Sequence, residues 1–198
     1  MQLSTKTVPK SYKHIGRPMM PKVKNTTNAL EHRGLAICSV LWRIESSAWY
    51  SKLKPWQEDW IHPDVHGARG GHETLHSAWP AQARLEEAML RGEDRCAATL
   101  DYTKCFDMFD PDFYVDMLKD LGYPSDLAEM QRDMYNGITR HVKVVGSYGD
   151  EMLPTTGMGQ GCSLTLIAAN ATTTIEFRML NDRAPGIKKS AFIDDRSL

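Results

Sequence analysis

Apolar residues recur at two spacings in this chain, and the change of spacing marks its elements. Val40, Leu41, Ile44, Ala48 and Trp49 fall at the intervals of a helix face. Before them, residues 20–24 and 33–38 read as two short strands of a hairpin, joined by a polar turn at 25–28. Residues 1–20, rich in Lys, Thr and Pro, read as an ill-ordered lead. After a glycine-rich loop at 67–71, a helix is predicted from Glu73 to about Arg91, with Pro80 interrupting it. Residues 95–101 form a short, mostly apolar run with the look of a buried strand, ending abruptly on Asp101. Two helices follow: 112–121, closed by Gly122 and Pro124, and a second capped by Ser125 and stopped at Asn136-Gly137. Residues 142–145 and 151–155 flank the turn-rich segment 146–150, a hairpin signal. A second glycine-rich loop, 157–161, precedes a long Ala/Thr-rich helix to about Leu180. The last predicted strand, 189–193, runs straight into Asp194 and Asp195. Strands and helices do not alternate strictly, so the pattern predicts an α+β fold rather than a doubly wound sheet.

Composition changes this picture little. With 198 residues, 41 % hydrophobic and 25 % charged, the chain can bury a core. The polar, basic start has no apolar h-region, and no apolar run reaches membrane-spanning length, so an intracellular location is expected, the nucleus included. Four scattered cysteines, Cys38, Cys96, Cys105 and Cys162, have no paired zinc spacing and read as reduced, mostly buried thiols. Charge adds more. Residues 1–60 hold ten Lys or Arg against four Asp or Glu, whereas the whole chain has a net charge of −1. A basic front and an acidic rear fit a protein that meets an anion with one part and holds cations with the other.

The candidate chemistry lies in the acids. Asp101 and Asp194 each stand where a predicted strand ends, and if the strands are neighbours their carboxylates meet. Acids gathered in one site repel one another unless cations neutralise them. Oxygen donors without paired His or Cys favour Mg²⁺ or Mn²⁺ over zinc, and two such ions are suited to in-line phosphoryl transfer. For either acid alone, an Asp in a turn is the plainer account. The loop Gly157-Met158-Gly159-Gln160-Gly161 matches neither the Rossmann nor the P-loop fingerprint, but it allows close backbone approach before a helix N-terminus. His72-Glu73-Thr74-Leu75-His76 fits H-E-x-x-H, the zinc-peptidase pattern, but Pro80 lies one turn later and no third ligand stands out. Lys22 and Arg33, on paired strands, are placed to point together at a triphosphate. Trp42, Trp49, Trp56 and Trp60 read as packing.

In order and spacing, these pieces resemble the reverse-transcriptase domain of non-LTR retroelements and group II introns. Asp101-Tyr-Thr-Lys-Cys-Phe106-Asp107 resembles D-x-S-K-A-F-D. Gly157-Met158-Gly159-Gln160-Gly161-Cys162-Ser163-Leu164-Thr165 resembles G-x-x-Q-G-x-P-L-S, and Phe192-Ile193-Asp194-Asp195 resembles the F/Y-x-D-D box. Pro21-Lys22, His32-Arg33-Gly34-Leu35 and Gly67-Ala68-Arg69-Gly70-Gly71-His72 are similar to fingers motifs, the last standing for G-F-R-x-G-R-S/T. Ser163 replaces the usual Pro, Leu166 replaces the Pro after the Thr165 position, and Ile193 replaces a small residue.

The resemblance covers about residues 20–198 and implies a polymerase right hand: fingers-like 21–94, and a palm over 95–198 that stops after the F-x-D-D box, with no thumb. It implies an RNA-directed DNA polymerase with two Mg²⁺ or Mn²⁺ ions held by Asp101 and Asp194, assisted by Asp195. The dNTP would be bound by Lys22, Arg33, Tyr102, Phe106, Gln160 and Gly161, with Phe106 as steric gate against a ribose 2′-hydroxyl. RNA template, DNA primer and dNTPs are the implied partners, together with a thumb region or further domains in a full-length protein. The alternatives are an inactive, truncated retroelement remnant that only binds nucleic acid, an RNA-dependent RNA polymerase, which Phe106 and Phe192-Ile193 speak against, and a zinc peptidase.

Overall fold

A computed structural model describes residues 6–28, 31–102, 104–144, 146–159 and 161–198. In chain order the main elements are β1 (His14–Pro21), β2 (His32–Gly34), α1 (Val40–Trp60), α2 (Thr74–Arg91), β3 (Thr99–Leu100), α3 (Pro111–Asp120), α4 (Ser125–Asn136), β4 (Thr139–Val144), β5 (Ser147–Met152), α5 (Ser163–Arg183), β6 (Ser190–Phe192) and β7 (Asp195–Ser197). The chain is mixed α and β, with five helices and two separate sheets among the described residues, as the irregular alternation predicts. It folds as two units: Met1–Tyr50 with Phe106–Thr165, and Ser51–Cys105 with Leu166–Leu198.

The first unit holds a four-stranded sheet in the order β2-β1-β4-β5. β1 pairs antiparallel with β2 and parallel with β4, and β4 pairs antiparallel with β5. Strand β1 begins at His14, inside the stretch expected to be an ill-ordered lead, and ends at Pro21, so the strand expected at 20–24 is displaced toward the N-terminus. The β4–β5 turn is tighter than expected: Val144 pairs with Ser147, Gly146 takes φ +86°, and Val145 lies outside the described residues. Asp110 caps α3, its carboxylate accepting from the N–H groups of Asp112 and Phe113. Ser125 is the first residue of α4 rather than its cap, with Pro124 in the cap position. Ile15, Trp42, Leu118, Leu127, Met134 and Leu164 are fully buried. The Trp42 indole N–H donates to the Cys162 sulfur at 3.3 Å, a partner that a buried indole needs. Burial pushes the neighbouring Cys38 thiol up to about 12, so it is an inert core group.

The second unit holds a three-stranded antiparallel sheet, β3-β7-β6. Three features depart from expectation. The apolar run at 95–101 is exposed throughout, and only Thr99 and Leu100 form strand. β3 is an edge strand, so its apolar content does not make it a core strand. A further strand, β7, follows Asp194 and lies between β3 and β6, so the two acid-ended strands are not neighbours. Pro80 does not break α2, which runs unbroken from Thr74 to Arg91. The core of this unit is formed by Leu53, Val65, Ile167, Ala168, Phe177 and Ala191.

Asp107 has a structural role within the first unit. Its carboxylate meets Arg17 at 2.5 Å and Arg140 at 3.7 Å, with side chains only 7–20 % exposed. Arg140 in turn donates to the carbonyls of Thr156 and Gly157, both at 3.1 Å. Gly157 has φ +100°, and a Cβ there would stand 2.6 Å from the Arg140 guanidinium and 3.0 Å from the Asp107 carbonyl. The glycine-rich loop therefore begins as a packing device around this ion cluster. Asp107→Asn leaves the buried Arg140 and the half-buried Arg17 without their shared counter-charge. It is expected to cost about 3–5 kcal/mol of stability, read as a lower urea midpoint with unchanged slope.

Candidate functional site

The acids sit in the second unit, on and beside β7. Phe192 pairs with Asp195, so Ile193 and Asp194 are the two central residues of the β6–β7 hairpin turn. Ile193 has φ +60°, an unusual conformation for a β-branched residue and one that stores strain of about 1–3 kcal/mol. Gly67 accommodates this turn: a Cβ there would collide with the Ile193 backbone N and stand 2.6 Å from its Cγ1. The Gly67 loop is itself tied down. His66 N–H donates to the Ala191 carbonyl at 2.8 Å, Ala191 N–H to the Asp64 carbonyl at 2.9 Å, and buried Asn170 to the Gly67 carbonyl at 3.0 Å.

On its other edge β7 pairs with β3, Thr99 with Ser197 and Leu100 with Arg196. Asp101 and Asp195 are exposed and Asp194 is half-buried. Asp101 thus directly follows β3, Asp195 begins the neighbouring β7, and Asp194 stands on the turn before it. Among the described residues, no three His, Cys, Asp or Glu groups are arranged as a ready metal-binding group. A donor set of three carboxylates suits a hard divalent ion.

The other candidate residues fall as follows. Tyr102 is in the second unit, its hydroxyl donating to Glu176 at 3.1 Å. Thr103, beside it, lies outside the described residues. Lys22, Arg33, Phe106 and Gly161 belong to the first unit. Met20 pairs with Arg33, and Lys22, two residues after Met20, follows just beyond the end of β1, so Lys22 and Arg33 share one face of the hairpin diagonally. Both are exposed. The half-buried Phe106 ring meets Phe109 edge-on at 5.6 Å, and its carbonyl accepts from Met158 N–H at 2.9 Å. Gly161 is exposed, beside the Ala36 carbonyl. Gln160 lies outside the described residues.

The zinc-peptidase pattern is not realised. α2 begins at Thr74, so His72 precedes the helix and the two histidines are not one turn apart on it. His72 instead stacks on His66, ring centroids 5.2 Å apart, with 2.9 Å between their Nδ1 atoms. The His76 Nδ1 accepts from the Glu73 N–H at 2.9 Å. Sequence reasoning missed Arg196, which follows the acids directly and is buried. Its only sequence signal was a charge at the next position of a strand that had not been foreseen.

A profile of the reverse transcriptase (RNA-dependent DNA polymerase) family matches residues 21–198. No curated protein matches the chain. The acid-bearing hairpin turn thus lies in a nucleotidyltransferase class of protein. The chain belongs to the reverse transcriptase (RNA-dependent DNA polymerase) family. No helix among the described residues is long and apolar enough to cross a membrane.

The histidine stack predicts a pH dependence. Burial, then the neighbouring His72, lowers the pKa of His66; burial, then Arg69, lowers that of His72. Burial also lowers that of His62. With the folded pKa below the ordinary 6.5, the unfolded chain binds more protons, so stability falls as pH drops below about 6.5 and levels off under the folded values. The expected result is a melting temperature that declines between about pH 7.5 and 5.5, with a shallower decline in His72→Gln. Equal slopes in the two proteins would refute the assignment.

Proposed function

We propose that this chain is an RNA-directed DNA polymerase domain that adds dNTPs to a primer 3′-hydroxyl on an RNA template. The observation that carries the reading is that three acids lie along one end of one sheet, Asp101 directly after β3, Asp195 at the start of the neighbouring β7 and Asp194 on the turn before it, within a chain of the reverse transcriptase family. Enzymes of this family generally use divalent metals and act on nucleic-acid template and primer. The retroelement and group II intron resemblance of the motifs favours a right-hand arrangement, with residues 21–94 as fingers and 95–198 as palm.

In this reading Asp101, Asp194 and Asp195 would hold two Mg²⁺ or Mn²⁺ ions. Bound there, such ions would supply Lewis acidity toward a primer hydroxyl and positive charge toward a pyrophosphate leaving group. The residues of the chain do the rest. Lys22 and Arg33 draw the triphosphate, Arg33 with a fork that matches phosphate oxygens. The backbone around Tyr102 lies along the triphosphate. Phe106 excludes a ribose 2′-hydroxyl by its bulk, and Gln160 and Gly161 position the incoming nucleotide and the template. A non-catalytic nucleic-acid-binding role is the second reading, and it fits the lack, among the described residues, of three His, Cys, Asp or Glu groups arranged as a ready metal-binding group.

The test is primer extension by the purified chain on a primed RNA template with Mg²⁺ or Mn²⁺. Extension with dNTPs is expected, reduced at least about a hundredfold in Asp101→Asn and Asp194→Asn. Phe106→Val is expected to raise NTP over dNTP use by about 10–200-fold. A preference of the parent chain for NTPs would overturn the assignment in favour of an RNA polymerase. Template binding without extension would select the second reading.

A further inference from the structure

Arg196 occupies a position that ordinary sheet packing does not explain. It is the central residue of the central strand β7, paired with Leu100 on one side and Ala191 on the other, and only 4 % exposed. Burying a guanidinium costs several kcal/mol unless its charge and its N–H groups are met. Here they are met from three separate places. One terminal nitrogen donates to the Asp194 backbone carbonyl at 3.1 Å. The other donates to the buried Thr173 hydroxyl at 2.7 Å, and that hydroxyl donates to the Ala169 carbonyl in the preceding turn of α5. The Nε lies 2.8 Å from Glu176 Oε2, an ion pair whose N–H is not aimed along a good hydrogen-bond line. The guanidinium carbon sits over the Tyr102 ring, 4.1 Å from its centroid, and the Tyr102 hydroxyl donates to the other oxygen of the same Glu176.

These contacts join the segments that carry the acids. Tyr102 follows Asp101 directly, so fixing its ring limits the backbone that aims Asp101. The bond to the Asp194 carbonyl limits the strained Ile193–Asp194 turn. Thr173 and Glu176, one turn apart on α5, supply the anchor. Successive residues of a strand face opposite ways, so the exposed Asp195 and the buried Arg196 use the two faces of β7.

We propose that Arg196 is a positioning residue for the acid site, an interlock that through Tyr102 and Glu176 holds Asp101 and the Asp194 turn in register for divalent-metal binding. The inference rests on the polymerase reading given above. It differs from a purely structural role in one respect: loss of the interlock weakens metal binding by more than the loss of folded protein accounts for.

The experiment measures Mn²⁺ binding to the 198-residue chain by electron paramagnetic resonance, with far-ultraviolet circular dichroism and thermal melts as folding controls. Asp194→Asn serves as the control for the site itself. Arg196→Met and Tyr102→Leu are each expected to weaken Mn²⁺ binding about 10–100-fold in protein that remains folded. The double variant is expected to bind no more weakly than the poorer single one, because both remove the same link. Arg196→Lys keeps the charge without the fork and is expected to recover melting temperature more than Mn²⁺ affinity. If Arg196→Met does not fold, Tyr102→Leu and Tyr102→Phe carry the comparison, and Tyr102→Phe is expected to lose less because it keeps the ring under the guanidinium. Parent-like Mn²⁺ affinity in folded Arg196→Met or Tyr102→Leu, with binding abolished in Asp194→Asn, would overturn the interlock and leave the polymerase reading standing. Absence of Mn²⁺ binding in the parent chain would overturn the metal site and the interlock with it.

Discussion

The pleat of one three-residue strand constrains the acid site more than any other feature. β7 lies between β3 and β6, so its two edges align residues from distant parts of the chain. Its alternation exposes Asp195 and buries Arg196. A shift of register by one residue would exchange them, exposing the guanidinium and burying a carboxylate without a cation. The hydrogen bonds and the ion pair of Arg196 therefore oppose slippage, and the acids inherit their placement from a residue on the other face of the sheet. Gly67 acts on the same turn by leaving room for Ile193, whose bulk and backbone conformation would otherwise collide with the loop.

The first unit shows the same logic with different chemistry. Asp107 stands six residues after Asp101 and carries the same functional group, yet it is enclosed by Arg17 and Arg140 and organises the start of the glycine-rich loop. Met158 N–H to the Phe106 carbonyl and Gly157 N–H to the Phe109 carbonyl bind that loop to the segment after the first acid motif. Burial decides the difference between the two aspartates. An exposed carboxylate can exchange water for a cation, whereas one ringed by guanidinium groups already has its counter-charge.

Much of this was legible along the chain. Helices α1 to α5 were legible through apolar spacing and terminal residues such as Gly122 after α3 and Gly137 after α4, whereas the Asp110 cap of α3 was not foreseen. The β1–β2 hairpin was legible as a pair, though not in its bounds. The exposure of residues 95–101 was not, because an apolar run of that length fits a core strand and an edge strand equally. β7 was not foreseen, because Asp-Arg-Ser has no strand pattern of its own and is held there by β3 and β6. His66 beside His72, across an intervening glycine loop, likewise has no local signal.

The sequence by itself determined the identities and order of the acids, the glycine-rich loop and the aromatic Phe106, because motifs and spacing are properties of the covalent chain. It also determined which stretches become helices, because periodicity acts over a few residues, though not every helix limit. Tertiary structure decided that β7 lies between the two acid-ended strands, that Asp107 is tied to two arginines, and that a buried arginine lies beside the acid-bearing turn. Strand register, burial and ion pairing join residues distant in the chain, and no local stretch of it encodes them.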